Sequence, residues 1–277
     1  MKSLWISIFL LLAAFPAYAE TAPSPGRSFV DHSISRPYFY QVTKGREVHY
    51  LLGTYHLIIQ WRDFSDRVHA AFSAAKIVIT KTQYEDKWRS YLKISFDDLV
   101  GGETENPKLS KKNQQKLHDL GIPEKLIATI ADDDCSAVLF YPYIEKYPFY
   151  LLDADIYLQA KSAGKRTVRL DTKQILAAAE TFSKSSSSSC SVRGMLNSLS
   201  TETILEIGRN GIDEYRSSDL DIKPSERDPG VAYRNQIWIS KILETFQRGP
   251  SFVAVGATHL WGGEGLIALL AARNNME

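Results

Sequence analysis

Residues 251–260 read SFVAVGATHL, an apolar strand that runs directly into a glycine and, three residues later, a histidine. Residues 51–57, LLGTYHL, repeat this order, so both segments end in G-x-x-H-L. Short, fully apolar strands are typical of a parallel sheet that is covered on both faces. We therefore expect two strands of one α/β sheet, with both motifs at the carboxyl edge where such sheets bind ligands. The motif residues are Gly53, His56, Gly256 and His259.

The rest of the chain alternates strands with helices. The predicted strands are a hairpin at 38–50, IVIT at 77–80, TVRL at 167–170 and SFVAV at 251–255. The predicted helices lie at 113–120, 124–130, 152–163 and 232–246, with two more around 68–75 and after Gly265. This order predicts an α/β fold with a mixed, largely parallel central sheet flanked by helices.

The first nineteen residues have the build of a secretory signal peptide. Lys2 precedes an apolar run at 4–15, Pro16 breaks the run, and residues 17–19 form an A-x-A cleavage site. The apolar run is too short to span a bilayer as a helix. We expect cleavage after Ala19, export to a periplasm or the outside, and no membrane span in the mature chain.

The mature chain divides into a short leader and one domain. Residues 20–36 are rich in proline and serine and form the expected leader. Residues 37–277 form the expected single domain, with a helical middle and a Ser-rich loop at 183–191.

The composition excludes two classes of protein. The chain has 33 basic and 32 acidic residues, so it lacks the basic excess that a nucleic-acid binder needs. Its two cysteines are too few for a zinc site of three or four thiolates. Cys135 and Cys190 are either a disulfide, which export would permit, or two isolated thiols.

Two histidines at one sheet edge suggest a shared chemistry. His56 and His259 either bind a divalent metal or share acid–base work there, or they are two unrelated histidines. The other four histidines are predicted to be structural or solvated; they are His32, His49, His69 and His118.

The pair Arg234-Asn235 lies in the predicted helix at 232–246. Arg234 shares the apolar face of that helix with Trp238, so it needs a carboxylate partner or a pocket. Asp171 follows a short strand and is one candidate partner, and Glu264 is another. The pair is either part of a functional site or a structural ion pair.

Four blocks of the sequence together resemble the TraB/GumN family, which is TIKI-like and has erythromycin esterase-like and ChaN-like relatives. The blocks are 51–57, 151–172, 233–246 and 252–270. The resemblance implies an α/β fold with both G-x-x-H motifs at one site, and metal-dependent protease or esterase activity. His56 and His259 match the metal or catalytic histidines of the family, and Arg234 and Asn235 match its RN pair.

The first hypothesis is therefore an exported metal-dependent hydrolase of amide or ester bonds in a peptide or a small molecule. In this hypothesis, His56 and His259 either bind a divalent metal (manganese, cobalt or zinc) or activate a water molecule. Asp171 is either a metal ligand or a general base. Arg234 and Asn235 polarise the carbonyl or hold the oxyanion. Gly53, Gly256 and Glu264 complete the expected binding site.

The second hypothesis is an exported binding protein on the same fold that has lost catalysis. Lys81 stands where the family usually has glutamate, and Asp171 stands where it often has glutamate. The aromatic-rich stretch at 140–150, FYPYIEKYPFY, is suited to recognition or else packs in the core. A third hypothesis, from likeness to ChaN-like proteins, places haem between the two histidines.

Overall fold

The computed structural model describes residues 37–44, 47–55, 59–82, 108–132, 135–144, 152–185, 191–217 and 228–274. The expected signal peptide and leader, His32, His56 and Cys190 lie outside these residues, as do 145–150 of the aromatic stretch.

Five strands form one mixed sheet. They are β1 Phe39–Lys44, β2 Glu47–Thr54, β3 Ile77–Thr80, β4 Arg166–Arg169 and β5 Ser251–Gly256. Their order is β1-β2-β5-β3-β4, in which β1 and β2 are antiparallel and every other pair is parallel. The predicted hairpin, the predicted strands and the largely parallel sheet are confirmed.

Helices flank the sheet and also form the helical middle of the chain. They are α1 Asp66–Ala74, α2 Lys111–Asp119, α3 Glu124–Ile127, α4 Cys135–Ile144, α5 Leu152–Ser162, α6 Lys173–Ser185, α7 Val192–Ser198, α8 Thr201–Ser217, α9 Pro229–Phe246 and α10 Leu266–Asn274. Helix α3 ends three residues before the prediction, and α6 continues through Ser185 into the predicted Ser-rich loop. No helix among the described residues is long and apolar enough to cross a bilayer.

Local signals explain where the site-bearing helices begin and end. The Asp228 carboxylate caps α9 by accepting a hydrogen bond from Gly230 N at 2.8 Å, and Pro229 fits the first helical turn. Helix α9 therefore starts three residues earlier than its apolar periodicity predicts. Gly164 ends α5 with a φ of 67°, a conformation that glycine adopts readily.

The main core surrounds the central strands. All four residues of β3 and the first five of β5 are buried, because helices cover both faces of the sheet. Helix α5 packs against β3, β4 and β5, and α9 packs against α6 and α10. The buried face of α9 contributes Trp238, Ile242 and Phe246 to this core.

A second, smaller core holds the helical middle of the chain together. It contains Leu117, Leu126, Val138, Leu196 and Ile204, from α2, α3, α4, α7 and α8. Cys135, which begins α4, is disulfide-bonded. The alternative of an isolated thiol is therefore wrong for Cys135, whereas Cys190 lies outside the described residues.

Candidate functional site

Strand ends bring the candidate residues to one edge of the sheet. The parallel strands β2, β5, β3 and β4 all end at this edge. Lys81 comes directly after β3, Asp171 lies two residues after β4, and His259 ends the 3-10 turn Ala257–His259 that follows β5. Asp171 N donates a hydrogen bond to the Lys81 carbonyl oxygen at 2.8 Å, so β3 and β4 remain paired at the site. His56, predicted at the end of β2, lies outside the described residues.

Asn235 fixes both the orientation and the tautomer of His259. Asn235 Nδ2 donates hydrogen bonds to the backbone carbonyl oxygens of His259 at 3.1 Å and Glu264 at 2.8 Å. Its Oδ1 therefore faces His259 Nδ1, at 2.7 Å, and a neutral imidazole carries its proton on Nδ1. Nε2 of His259 then has the lone pair that a general base or a metal ligand requires.

Asp171 is buried between two donors from α9. Trp238 Nε1 donates a hydrogen bond to Asp171 Oδ1 at 2.9 Å, and Arg234 Nη1 lies 3.5 Å from Oδ2. Burial raises the pKa of the Asp171 carboxyl, and Arg234, Trp238 and Lys81 each oppose that rise. Of the two carboxylate partners considered for Arg234, the structure pairs it with Asp171. Glu264 contributes its backbone carbonyl to the site, through Asn235.

The indole of Trp238 links the two halves of this arrangement. Its ring centroid is 4.4 Å from that of His259, and the Arg234 guanidinium carbon lies 5.3 Å from the indole centroid. Because Trp238 is only 1% exposed, its N–H must find a partner inside the protein, and Asp171 is that partner. The spacing of Arg234 and Trp238 on one helix face was visible in the sequence, but the indole hydrogen bond was not.

Sequence reasoning missed a second ion pair in this region. Lys81 Nζ lies 3.1 Å from Asp153 Oδ2, and the side chains are 17% and 0% exposed. Asp153 lies in the first turn of α5, where the helix dipole favours a negative charge. Lys81 and Asp153 are 72 positions apart, so the sequence does not show that they pair. The one signal for a buried ion pair was that Asp153 lies on a predicted helix among apolar residues.

The two motif glycines have different surroundings. A Cβ on Gly53 would lie 2.8 Å from Tyr38 Cβ and 3.0 Å from Ala257 Cα, so glycine allows Tyr38 and the turn after β5 to pack closely against the end of β2. A Cβ on Gly256 would lie 3.6 Å from His259 Cδ2 and 3.9 Å from Lys81 Nζ, which are ordinary contact distances. Gly53 therefore serves packing, whereas Gly256 lies beside the polar groups of the site.

The described residues do not fit a divalent metal. Among them, no three histidines, cysteines or carboxylates form a group that could hold one. Lys81 and Arg234 already neutralise Asp153 and Asp171. At a separation of ~4 Å and an effective dielectric constant of ~20, an ammonium repels each unit of metal charge by about 4 kcal/mol. Because His56 lies outside the described residues, binding of a divalent metal by His56 and His259 stays a prediction. Binding of haem between these two histidines likewise stays a prediction.

Three other histidines occupy structural or solvated positions, as expected. His49 is buried and stacks on Phe246 with 3.9 Å between ring centroids. His69 contacts Trp61, and His118 pairs with Glu124 at 2.8 Å on the surface.

Comparisons with known proteins identify the family. Neither the curated proteins nor the solved structures yield a significant match to this chain. The sequence model of the TraB/PrgY/gumN family, in contrast, matches residues 38–275. The match includes all five strands and every residue of the site described above. The chain therefore belongs to the TraB/PrgY/gumN family.

Proposed function

We propose that this protein is an exported hydrolase of amide or ester bonds whose active site is the carboxyl edge of the sheet. The hydrogen bond between His259 and Asn235 carries the proposal. It leaves His259 Nε2 unprotonated in the neutral imidazole, and the Trp238 indole that packs on the His259 ring also contacts Asp171 and Arg234. A positioned imidazole near neutral pH is the commonest general base in enzymes.

The other residues have roles that follow from their positions. Arg234 presents a guanidinium whose side chain is 19% exposed, so it can meet the carbonyl oxygen of a substrate and stabilise its developing negative charge. Asp171 and Trp238 hold that guanidinium in place. His259 is only 2% exposed, so a water molecule bound there would react in an environment of low dielectric constant.

Export to a periplasm or to the outside fits two independent observations. The first nineteen residues read as a signal peptide, and Cys135 is disulfide-bonded. Disulfides form and persist in oxidising compartments and are rare in the cytosol. An amide or ester substrate would accordingly be a peptide or small molecule of the cell envelope or the medium.

The test is hydrolysis by the purified protein of a panel of peptides and nitrophenyl esters, with and without a chelator. We expect turnover that the chelator leaves unchanged and that His259→Ala lowers by about 10²- to 10⁴-fold. His118→Ala is the matched control, since His118 is exposed and remote in sequence from the site. An unchanged rate in His259→Ala, or no turnover on any substrate, would refute the proposal.

A second candidate, an exported binding protein without catalysis, is favoured by the pairing of charges. Each of the cations Lys81 and Arg234 is already paired with a buried carboxylate, as in a site that is kept neutral. Any substrate turnover that disappears in His259→Ala would exclude this candidate.

A further inference from the structure

The Lys81 ammonium pairs with one buried carboxylate and lies near the His259 imidazole. Asp153, which pairs with it, is fully buried, so its charge depends on a cation inside the protein. The Cβ position of Gly256 is within 4 Å of both Lys81 Nζ and the His259 ring, so the ammonium and the imidazole flank one glycine. The charge of Lys81 also acts on Asp171.

These groups are of chemical types that bind metals, although no three of them, among the described residues, form a group that could hold an ion. Two carboxylates and an imidazole are donors that zinc, manganese and cobalt accept. His259 directs Nδ1 to Asn235, an arrangement that also orients imidazoles toward metals. The positive charge among these groups, however, is the ammonium of Lys81. A hydrogen bond from Asp171 N to the Lys81 carbonyl oxygen fixes the backbone of Lys81 at the end of β3.

We propose that the Lys81 ammonium is the resident cation of this site and replaces a divalent metal there. The native protein then holds no divalent ion at these residues. The ammonium pairs with Asp153 and contributes positive charge near His259, but it cannot activate water as a Lewis acid. The inference rests on the location of the site in the proposed function and does not depend on hydrolysis.

The test compares metal binding by four forms of the full protein. Each is dialysed against manganese, cobalt or zinc, and bound metal and melting temperature are then measured. The native protein and Lys161→Glu, an exposed charge change at the far end of α5, should hold no stoichiometric metal. Lys81→Glu, which adds a carboxylate and removes the ammonium, should bind a stoichiometric ion that raises its melting temperature. His259→Ala in the Lys81→Glu background should weaken that binding by about tenfold or more.

A second pair of variants covers the case in which Lys81→Glu does not fold. Lys81→Gln keeps most of the side-chain length but removes the ammonium that pairs with Asp153, so divalent ions should raise its melting temperature. Lys81→Gln/Asp153→Asn removes both charges and should not respond to the ions.

Two results would overturn the proposal. One is stoichiometric metal in the native protein that Asp153→Asn or His259→Ala removes. The other is the absence of any gain in metal binding or metal-dependent stability in both Lys81→Glu and Lys81→Gln. Neither result depends on turnover, so a native protein that is free of metal and inactive would refute the hydrolase while supporting the role of Lys81.

Discussion

Asn235 and His259 form a hydrogen bond of 2.7 Å in which the amide decides which imidazole nitrogen carries the proton. The two hydrogens of the amide are committed to backbone carbonyls, those of His259 and Glu264. The same side chain therefore ties the turn after β5 to α9 and orients the imidazole. A change at Asn235 should affect both stability and the titration of His259.

The variant Asn235→Asp separates these two effects. A carboxylate still accepts the Nδ1 hydrogen but cannot donate to the two carbonyls, so we expect a loss of about 2 to 3 kcal/mol in unfolding free energy. The negative charge should stabilise the imidazolium and raise the pKa of His259. The acidic limb of the kcat/KM profile, or the NMR titration of His259, should move to higher pH.

Asn235→Leu is the matched variant, because it loses the same donors without adding a charge and should not raise the pKa of His259. A raised pKa in both variants would contradict the assigned role.

The ion pair between Arg234 and Asp171 predicts how two substitutions combine in their effect on unfolding free energy. Arg234→Met leaves the buried Asp171 carboxyl with the Trp238 hydrogen bond but without its cation, so unfolding free energy should fall by about 3 kcal/mol. Asp171→Asn in that background removes the unpaired charge and keeps an acceptor for the indole. Chemical denaturation should show that the double variant recovers part of the loss. A double variant that is no more stable than Arg234→Met would show that the ion pair does not govern stability here.

The sequence predicts the sheet edge better than it predicts the contacts at it. The apolar strands and the glycines that follow them are local signals, and parallel strands necessarily end at one edge, so Asp171 and His259 could be placed together. The partners of these residues depend on tertiary packing. Asp153 reaches Lys81 from a helix far along the chain. Its apolar neighbours on that helix indicate that it is buried, but they do not identify its partner. Helices α7 and α8 of the second core were not predicted either, although Ile204, Gly208 and Ile212 recur in α8 at helical spacing.

The two motif glycines provide a matched pair of substitutions. Gly53→Ala forces a methyl group to 2.8 Å from Tyr38 Cβ, closer than unstrained packing allows, so we expect a loss of about 1 to 3 kcal/mol. Gly256→Ala adds a methyl group at 3.6 Å or more from its neighbours, and its φ of −50° suits alanine. Stability should therefore stay within about 0.5 kcal/mol of the native value. Denaturation of both variants measures the difference, and an equal loss in the two would contradict the packing role of Gly53.

His49 should make the stability of the protein depend on pH. Its side chain is fully buried, and neither ring nitrogen has a hydrogen-bond partner among the residues that the structure describes. Burial, with a smaller effect of Lys44, lowers its pKa to about 4. Below pH ~6.5 the unfolded chain binds a proton that the folded chain does not, so unfolding free energy should fall between pH ~6.5 and ~4, by about 3 kcal/mol in total. Above pH ~6.5 this contribution is constant.

His49→Leu should remove this part of the pH dependence. Because it also removes buried polar atoms, it should not destabilise the protein at pH 7 by more than about 1 kcal/mol. Denaturation curves from pH 4 to 8 test this, with His118→Gln on the surface as the control that should retain the dependence. An unchanged pH dependence in His49→Leu would show that a different group is responsible.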